Sequence, residues 1–124
     1  MILVDTSVWV DHLRKKDAKM ERLLQQQQIL VHPFIIGEIA LGYLRNRDVI
    51  LTSLRELPEV STARDDEVLG FIEAHSLVGS GIGYLDAHLL ASLKLTSGVR
   101  FWTRDKKLAA AATAIGLKGE VPQP

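Results

Sequence analysis

Short apolar runs alternate with amphipathic stretches along this chain, and the two patterns predict two kinds of element. Ile2-Leu3-Val4 is continuous, apolar and rich in β-branching, and stops at Asp5-Thr6-Ser7, which predicts a short buried strand. Asp5, Thr6 and Ser7 are N-cap residue types, so a helix follows through Val8, Trp9, Val10 and Leu13. A second helix is expected from about Ala18 to Gln28, with Met20, Leu23 and Leu24 inward. The tract Gln25 to Gln28 reads as an exposed face of that helix rather than as a prion-like segment. Ile29-Leu30-Val31 predicts a second strand, and Pro33 suits the first turn of a third helix reaching Tyr43 or Leu44. Arg45 and Arg47 then favour its C-terminus. A fourth helix is expected from Asp48 to Glu56, ended near Pro58, and a short strand over Val60 to Thr62.

Asp65-Asp66-Glu67 places acids in the first turn of a helix that should bury Val68, Leu69, Phe71 and Ile72. Gly79-Ser80-Gly81-Ile82-Gly83 reads as a loop entering a helix that runs to about Leu95. Phe101 to Thr103 predicts a strand, Lys107 to Ala114 a helix, and Gly119 to Val121 a candidate edge strand. Strands this short, alternating with helices, indicate an α/β domain with a parallel sheet covered on both faces. No internal repeat and no linker interrupts the pattern, so residues 1–124 are read as one domain.

Composition narrows the class. With 124 residues, 47% hydrophobic and 24% charged, the chain is long enough for one real core. It has no cysteine, which excludes disulfides and thiolate metal sites. Its histidines, His12, His32, His75 and His88, form no H-x-x-x-H pair. Fifteen basic and fifteen acidic residues cancel, which argues against general coating of nucleic acid but leaves room for a local basic patch. No apolar run approaches the roughly 18 residues of a membrane span. Met1 leads directly into strand-like sequence, so the expectation is a soluble cytoplasmic protein without a signal peptide.

Four carboxylates stand where carboxylates cost stability. Asp5 ends an apolar run, and Asp105 follows another. Glu38 shares a helix face with Phe34, Ile35 and Leu41, and Asp86 with Leu89 and Leu90, so both should point inward. Charged groups are seldom buried unless paired or holding a metal. In parallel α/β sheets ligands gather at the carboxyl ends of strands. Four converging acids would raise one another's pKa, and a hard divalent cation such as Mg²⁺ or Mn²⁺ would relieve that repulsion. Such a site suits hydrolysis of phosphodiesters.

At these residues the chain resembles PIN-domain ribonucleases, and most closely the VapC toxins of toxin–antitoxin pairs. Met1-Ile2-Leu3-Val4-Asp5-Thr6-Ser7 is similar to the family's opening strand, first acid and hydroxyl. Glu38 in Ile36-Gly37-Glu38-Ile39 matches the second acid, and Asp86 in Tyr84-Leu85-Asp86-Ala87-His88-Leu89-Leu90-Ala91 the third. Thr103-Arg104-Asp105-Lys106-Lys107-Leu108 matches the T-x-D ending. The resemblance covers nearly the whole chain. It implies a three-layer α/β/α fold with a short parallel sheet, Mg²⁺- or Mn²⁺-dependent cleavage of RNA, homodimerisation and inhibition by a cognate VapB-type antitoxin. It also implies that Asp5, Glu38, Asp86 and Asp105 hold metal directly or through water. Two departures are visible. Leu108 stands where the family often has an aromatic residue, and His88 stands where it commonly has an aliphatic one. His88 is read as a partly exposed surface histidine.

Blander readings stand beside these. Asp5, Thr6, Ser7 and Asp105 are also good helix caps, and Glu38 or Asp86 could pair with an arginine inside the fold. Ser7 and Thr103 either orient Asp5 and water or bond locally to backbone. Arg104, Lys106 and Lys107 are candidates for RNA phosphates or an ordinary solvated face. The glycine-rich stretch lacks the Lys-Ser/Thr of a P-loop. Two rival functions follow: a non-catalytic PIN-like RNA-binding or scaffold module, which would normally lack one of the acids, and a receiver-type signalling domain, which would need an adjacent acidic pair where Asp5-Thr6-Ser7 stands.

Overall fold

The structure is a computed structural model that describes residues 1–117 and Gly119. Its elements follow in the order β1 (Ile2–Val4), α1 (Thr6–Arg14), α2 (Ala18–Gln25), β2 (Ile29–Leu30), α3 (Pro33–Ala40), α4 (Arg47–Glu56), α5 (Asp65–Ala74), α6 (Tyr84–Leu95), β3 (Arg100–Trp102) and α7 (Lys106–Ala114). The three strands are parallel, in the order β2-β1-β3. Ile2 and Leu3 pair with Ile29 and Leu30 on one side, and Ile2, Leu3 and Val4 with Arg100, Phe101 and Trp102 on the other.

Because β1 is central and parallel, both of its faces are covered, and Leu3 and Val4 are fully buried. Around them Val8, Trp9, Met20, Ile29, Ile35, Leu89, Leu90, Leu93, Trp102 and Leu108 close the core. A smaller apolar cluster of Ala63, Val68, Ala87 and Ala91 joins α5 to α6. The small residues of α6 let the two helices approach. The result is the expected α/β/α arrangement, with a sheet barely long enough to display its carboxyl ends.

Most boundaries lie within a residue or two of the sequence reading, and the exceptions have local causes. Helix α2 stops at Gln25, three residues early, because the chain must reverse to enter β2. Gln27 takes a left-handed φ of 56°, and the amides of Gln27 and Gln28 cap the carbonyls of Leu24 and Leu23. Helix α3 stops at Ala40 rather than at Tyr43 or Leu44, and Tyr43 is fully exposed. The Arg47 guanidinium folds back to donate to the carbonyls of Ala40 and Gly42, so it does serve the end of α3, but from the first turn of α4. The strand expected at Val60 to Thr62 is a single bridge between Val31 and Glu59. Leu69 is exposed, since α5 buries Val68 and packs Phe71 and Ile72 inward, leaving Leu69 off that stripe. Gly119 bridges to Phe101, and the rest of the candidate edge strand, Glu120 and Val121, lies outside the described residues. No described helix is long and apolar enough to cross a membrane.

Candidate active site

The carboxyl end of β1 delivers Asp5, whose amide still bonds to the Trp102 carbonyl at 2.9 Å. Asp5 is only 6% exposed. Its Oδ2 accepts hydrogen bonds from Ser7 Oγ at 2.7 Å and Thr103 Oγ1 at 2.8 Å, and a longer one from the Ser7 amide. Ser7 Oγ in turn accepts from the Arg104 amide, and Thr103 Oγ1 from the Asp105 amide. Residues 97 and 98 positions apart thus fasten the loop after β3 to the start of α1.

The other three acids come from three helices. Glu38 lies on α3, one turn beyond Phe34, and its Oε1 accepts from Thr6 Oγ1 at 2.7 Å. Asp86 is in the first turn of α6, where its Oδ2 accepts from the Gly83 amide at 3.2 Å. Asp105 is the N-cap of α7, its Oδ1 accepting from the amides of Lys107 and Leu108. Glu38 and Asp86 are half-buried and Asp105 is exposed. The expectation of four inward acids is therefore corrected. Of the four, only Asp5 is buried.

Capping is real here, and it does not use up the carboxylates. Each of the four spends one oxygen on a hydrogen bond within the fold, and no hydrogen bond among the described residues reaches the other. None of the ion pairs among the described residues involves Asp5, Glu38, Asp86 or Asp105, so the arginine-pair reading fails. Helix N-termini supply partial positive charge instead, since Asp5, Asp86 and Asp105 stand at the starts of α1, α6 and α7. That compensation is incomplete. Burial pushes the Asp86 carboxyl above the usual aspartate range, and the charges of Asp5, Asp105 and Glu38 push it further, against the opposing hydrogen bond from Gly83. Asp86 is therefore near enough to the other three acids to feel their charge.

A sequence profile of the PIN domain matches residues 2–114. The chain belongs to the PIN domain family. Ribonuclease VapC32 of Mycobacterium tuberculosis is 46% identical over 117 residues, 94% of this chain and 94% of the relative. The same figures hold for that protein in strain CDC 1551 / Oshkosh and in strain ATCC 25618 / H37Rv.

The basic residues of this PIN domain's last motif part company in three dimensions. The Arg104 guanidinium is committed to Asp11 at 2.5 Å and Asp17 at 3.1 Å, and lies over the Trp102 ring. Lys106 and Lys107 are exposed on the first turn of α7. The Lys107 stem rests on Gly81, with Cδ 3.0 Å from where a Cβ would sit. Gly81 has a φ of 84°, so two constraints ask for glycine there. The glycine-rich stretch thus gives room to a lysine two residues from Asp105, and it lacks the Lys-Ser/Thr of a P-loop.

His88 is 3% exposed, which corrects the reading of it as a surface residue. Its Nε2 donates to Asp65 Oδ1 at 2.9 Å, and Tyr84 Oη donates to the same oxygen at 3.1 Å. His32, also buried, caps α3 by accepting the Phe34 amide at Nδ1, which leaves Nε2 to donate to Ser92 Oγ. Burial, with a smaller contribution from His88, lowers the His32 pKa to about 4. Sequence reasoning missed Thr6, Asp65 and Tyr84 as parts of the site's frame. Thr6 was visible as a hydroxyl beside Asp5, but its partner lies 32 residues on.

Proposed function

We propose that this PIN domain is a Mg²⁺- or Mn²⁺-dependent endoribonuclease that hydrolyses RNA phosphodiester bonds, the toxin of a type II toxin–antitoxin pair. The observation that carries the reading is that hydrogen bonds tie Glu38 to Thr6 and the turn at Asp105 to Asp5 and Ser7, that Asp86 lies under the charges of the other three acids, and that no ion pair among the described residues reaches any of the four. Likeness to Ribonuclease VapC32 supports it. A metal fits this donor set, because oxygen ligands suit hard cations and Asp86 is already under the repulsion that a cation would relieve. No three carboxylates or histidines among the described residues close on one point. One or two carboxylates would therefore hold the ion directly and the others through water. Asp5, Asp86 and Asp105 are the residues that would hold it, with Glu38 completing the catalytic set.

When bound, the ion supplies an activated water and neutralises charge on the attacked phosphate. The protein's own groups do the rest. Ser7 and Thr103 fix the rotamer of Asp5, Thr6 fixes Glu38, and the Gly83 amide fixes Asp86. Lys107 and Lys106 are the phosphate contacts favoured by position, whereas Arg104 is occupied as a structural clamp. A cognate VapB-type antitoxin, a homodimeric assembly and a cytoplasmic setting belong to the same proposal. They rest on the resemblance to VapC toxins.

The test is cleavage of single-stranded RNA by the purified protein with Mg²⁺ or Mn²⁺, with excess chelator, and by Asp5→Asn and Asp86→Asn. Cleavage should require metal and fall by at least about 100-fold in both variants. Undiminished cleavage in chelator, or by both variants, would overturn the proposal.

A further inference from the structure

On the helices that carry Glu38 and Asp86, four rings make a continuous row. His32 packs on Phe34 with centroids 5.0 Å apart, Phe34 on His88 at 4.8 Å, and His88 on Tyr84 at 4.7 Å. The row spans the N-terminal ends of α3 and α6, the two helices that carry Glu38 and Asp86. It is buried at the histidines and open at Tyr84, which is 45% exposed. Tyr84 is nonetheless held. Its hydroxyl donates to Asp65, and its ring meets the His88 imidazole edge-on, at 89° between planes. The same Asp65 oxygen accepts from His88, so one exposed carboxylate fixes the tyrosine and the ring it packs on.

Rigidity in an exposed ring needs an explanation. A tyrosine needed only to cover His88 would gain little from a second tether on an exposed carboxylate. An open ring fixed in orientation two residues from Asp86 has the attributes of a stacking platform. Every base has a π face, and single-stranded RNA is gripped by stacking its unpaired bases on aromatic side chains. Lys107, held over Gly81, suits a phosphate, and Tyr84 suits a base.

We infer that Tyr84, held by Asp65 and His88, stacks an unpaired RNA base next to the scissile phosphate and sets base preference at that position. The inference rests on the ribonuclease reading. Tyr84 acts on substrate position, so its removal raises KM more than it lowers kcat.

The experiment uses the full chain and a pool of random-sequence single-stranded RNA 12-mers, with cut ends mapped and kcat and KM measured. Tyr84→Phe and Tyr84→Trp keep a π face, whereas Tyr84→Leu keeps apolar cover over His88 without one, and Tyr84→Ala has neither. Tyr84→Ala and Tyr84→Leu should lose about 5- to 100-fold in kcat/KM, mostly through KM, and flatten base preference at one position beside the cut. Phe and Trp should retain kcat/KM within about threefold. Melting temperatures of the four variants identify any loss that comes from unfolding. If Tyr84→Leu cleaves like wild type, the ring is packing only and the inference is wrong. An unaltered cut-site profile in Tyr84→Ala also overturns it. Absence of cleavage by the wild-type protein would instead remove the ribonuclease reading itself.

Discussion

Asp86 sits where burial and three neighbouring carboxylates all disfavour its charge. Its raised pKa has a definite sign for stability. The folded state holds the Asp86 proton more tightly than the unfolded chain does. That preference stabilises the fold below the unfolded aspartate value and is lost as pH rises through the raised folded value. At neutral pH without metal, ionised Asp86 therefore works against the fold. Asp86→Asn keeps an acceptor for the Gly83 amide and removes the charge. With chelator present, it should melt at or above the wild-type temperature at pH 7, and the difference should shrink as the pH falls toward the ordinary aspartate range. A loss of about 3 kcal/mol or more at pH 7 would instead mean that a buried ion pair had been broken. His88 shows the limit of reading single residues. In sequence it is one polar residue on an apolar helix; in the fold Asp65, 23 positions earlier, accepts its Nε2 hydrogen, while Nδ1 has no hydrogen-bond partner among the described residues.

Among the elements, α2 depends most on one contact outside itself. Asp17 caps it through the Met20 amide at 3.0 Å and accepts from Arg104 at 3.1 Å with its other oxygen. The Met20 hydrogen bond, reinforced by Arg104, holds the Asp17 carboxyl below the usual aspartate range. Arg104 also reaches Asp11 on α1, so the turn after β3 is clamped to both N-terminal helices. Asp17→Ala should cost about 1–2 kcal/mol in urea denaturation, and Asp17→Asn, which keeps the cap and loses the charge, about half of that. Equal loss in both would place the effect in the Arg104 pair rather than in the cap. The cap residue types and apolar stripes that define α1, α5, α6 and α7 could be read along the chain. The ends of α2 and α3 could not. They are set by a left-handed Gln27 and by Arg47 folding back, both consequences of where the next element must go.

For the whole molecule, a cation is expected to couple to folding. Asp86 meets the charges of Asp5, Asp105 and Glu38 only in the folded chain, so on the proposed function Mg²⁺ or Mn²⁺ should bind the native state and raise the melting temperature. At a metal concentration about 100 times Kd the stabilisation is roughly 2.7 kcal/mol. Asp5→Asn and Asp86→Asn should each lose most of it. Calorimetric melts across a metal titration measure this without reference to activity. An identical metal response in wild type and both variants would show that the cation binds elsewhere.

The sequence by itself determined the alternation of strands and helices, the buried central strand, the four acids and the order in which they occur. Those features are local, resting on apolar periodicity, cap chemistry and short motifs. Tertiary structure decided the rest. It left Asp5 buried and Asp105 open, tied Glu38 to Thr6, turned Arg104 from an RNA candidate into a clamp, and buried His88 behind Tyr84. The physical reason is common to all of them. A polar side chain takes its role from the partner that offsets its desolvation, and for Asp5, Glu38, Arg104 and His88 a partner comes from 23 to 98 positions away.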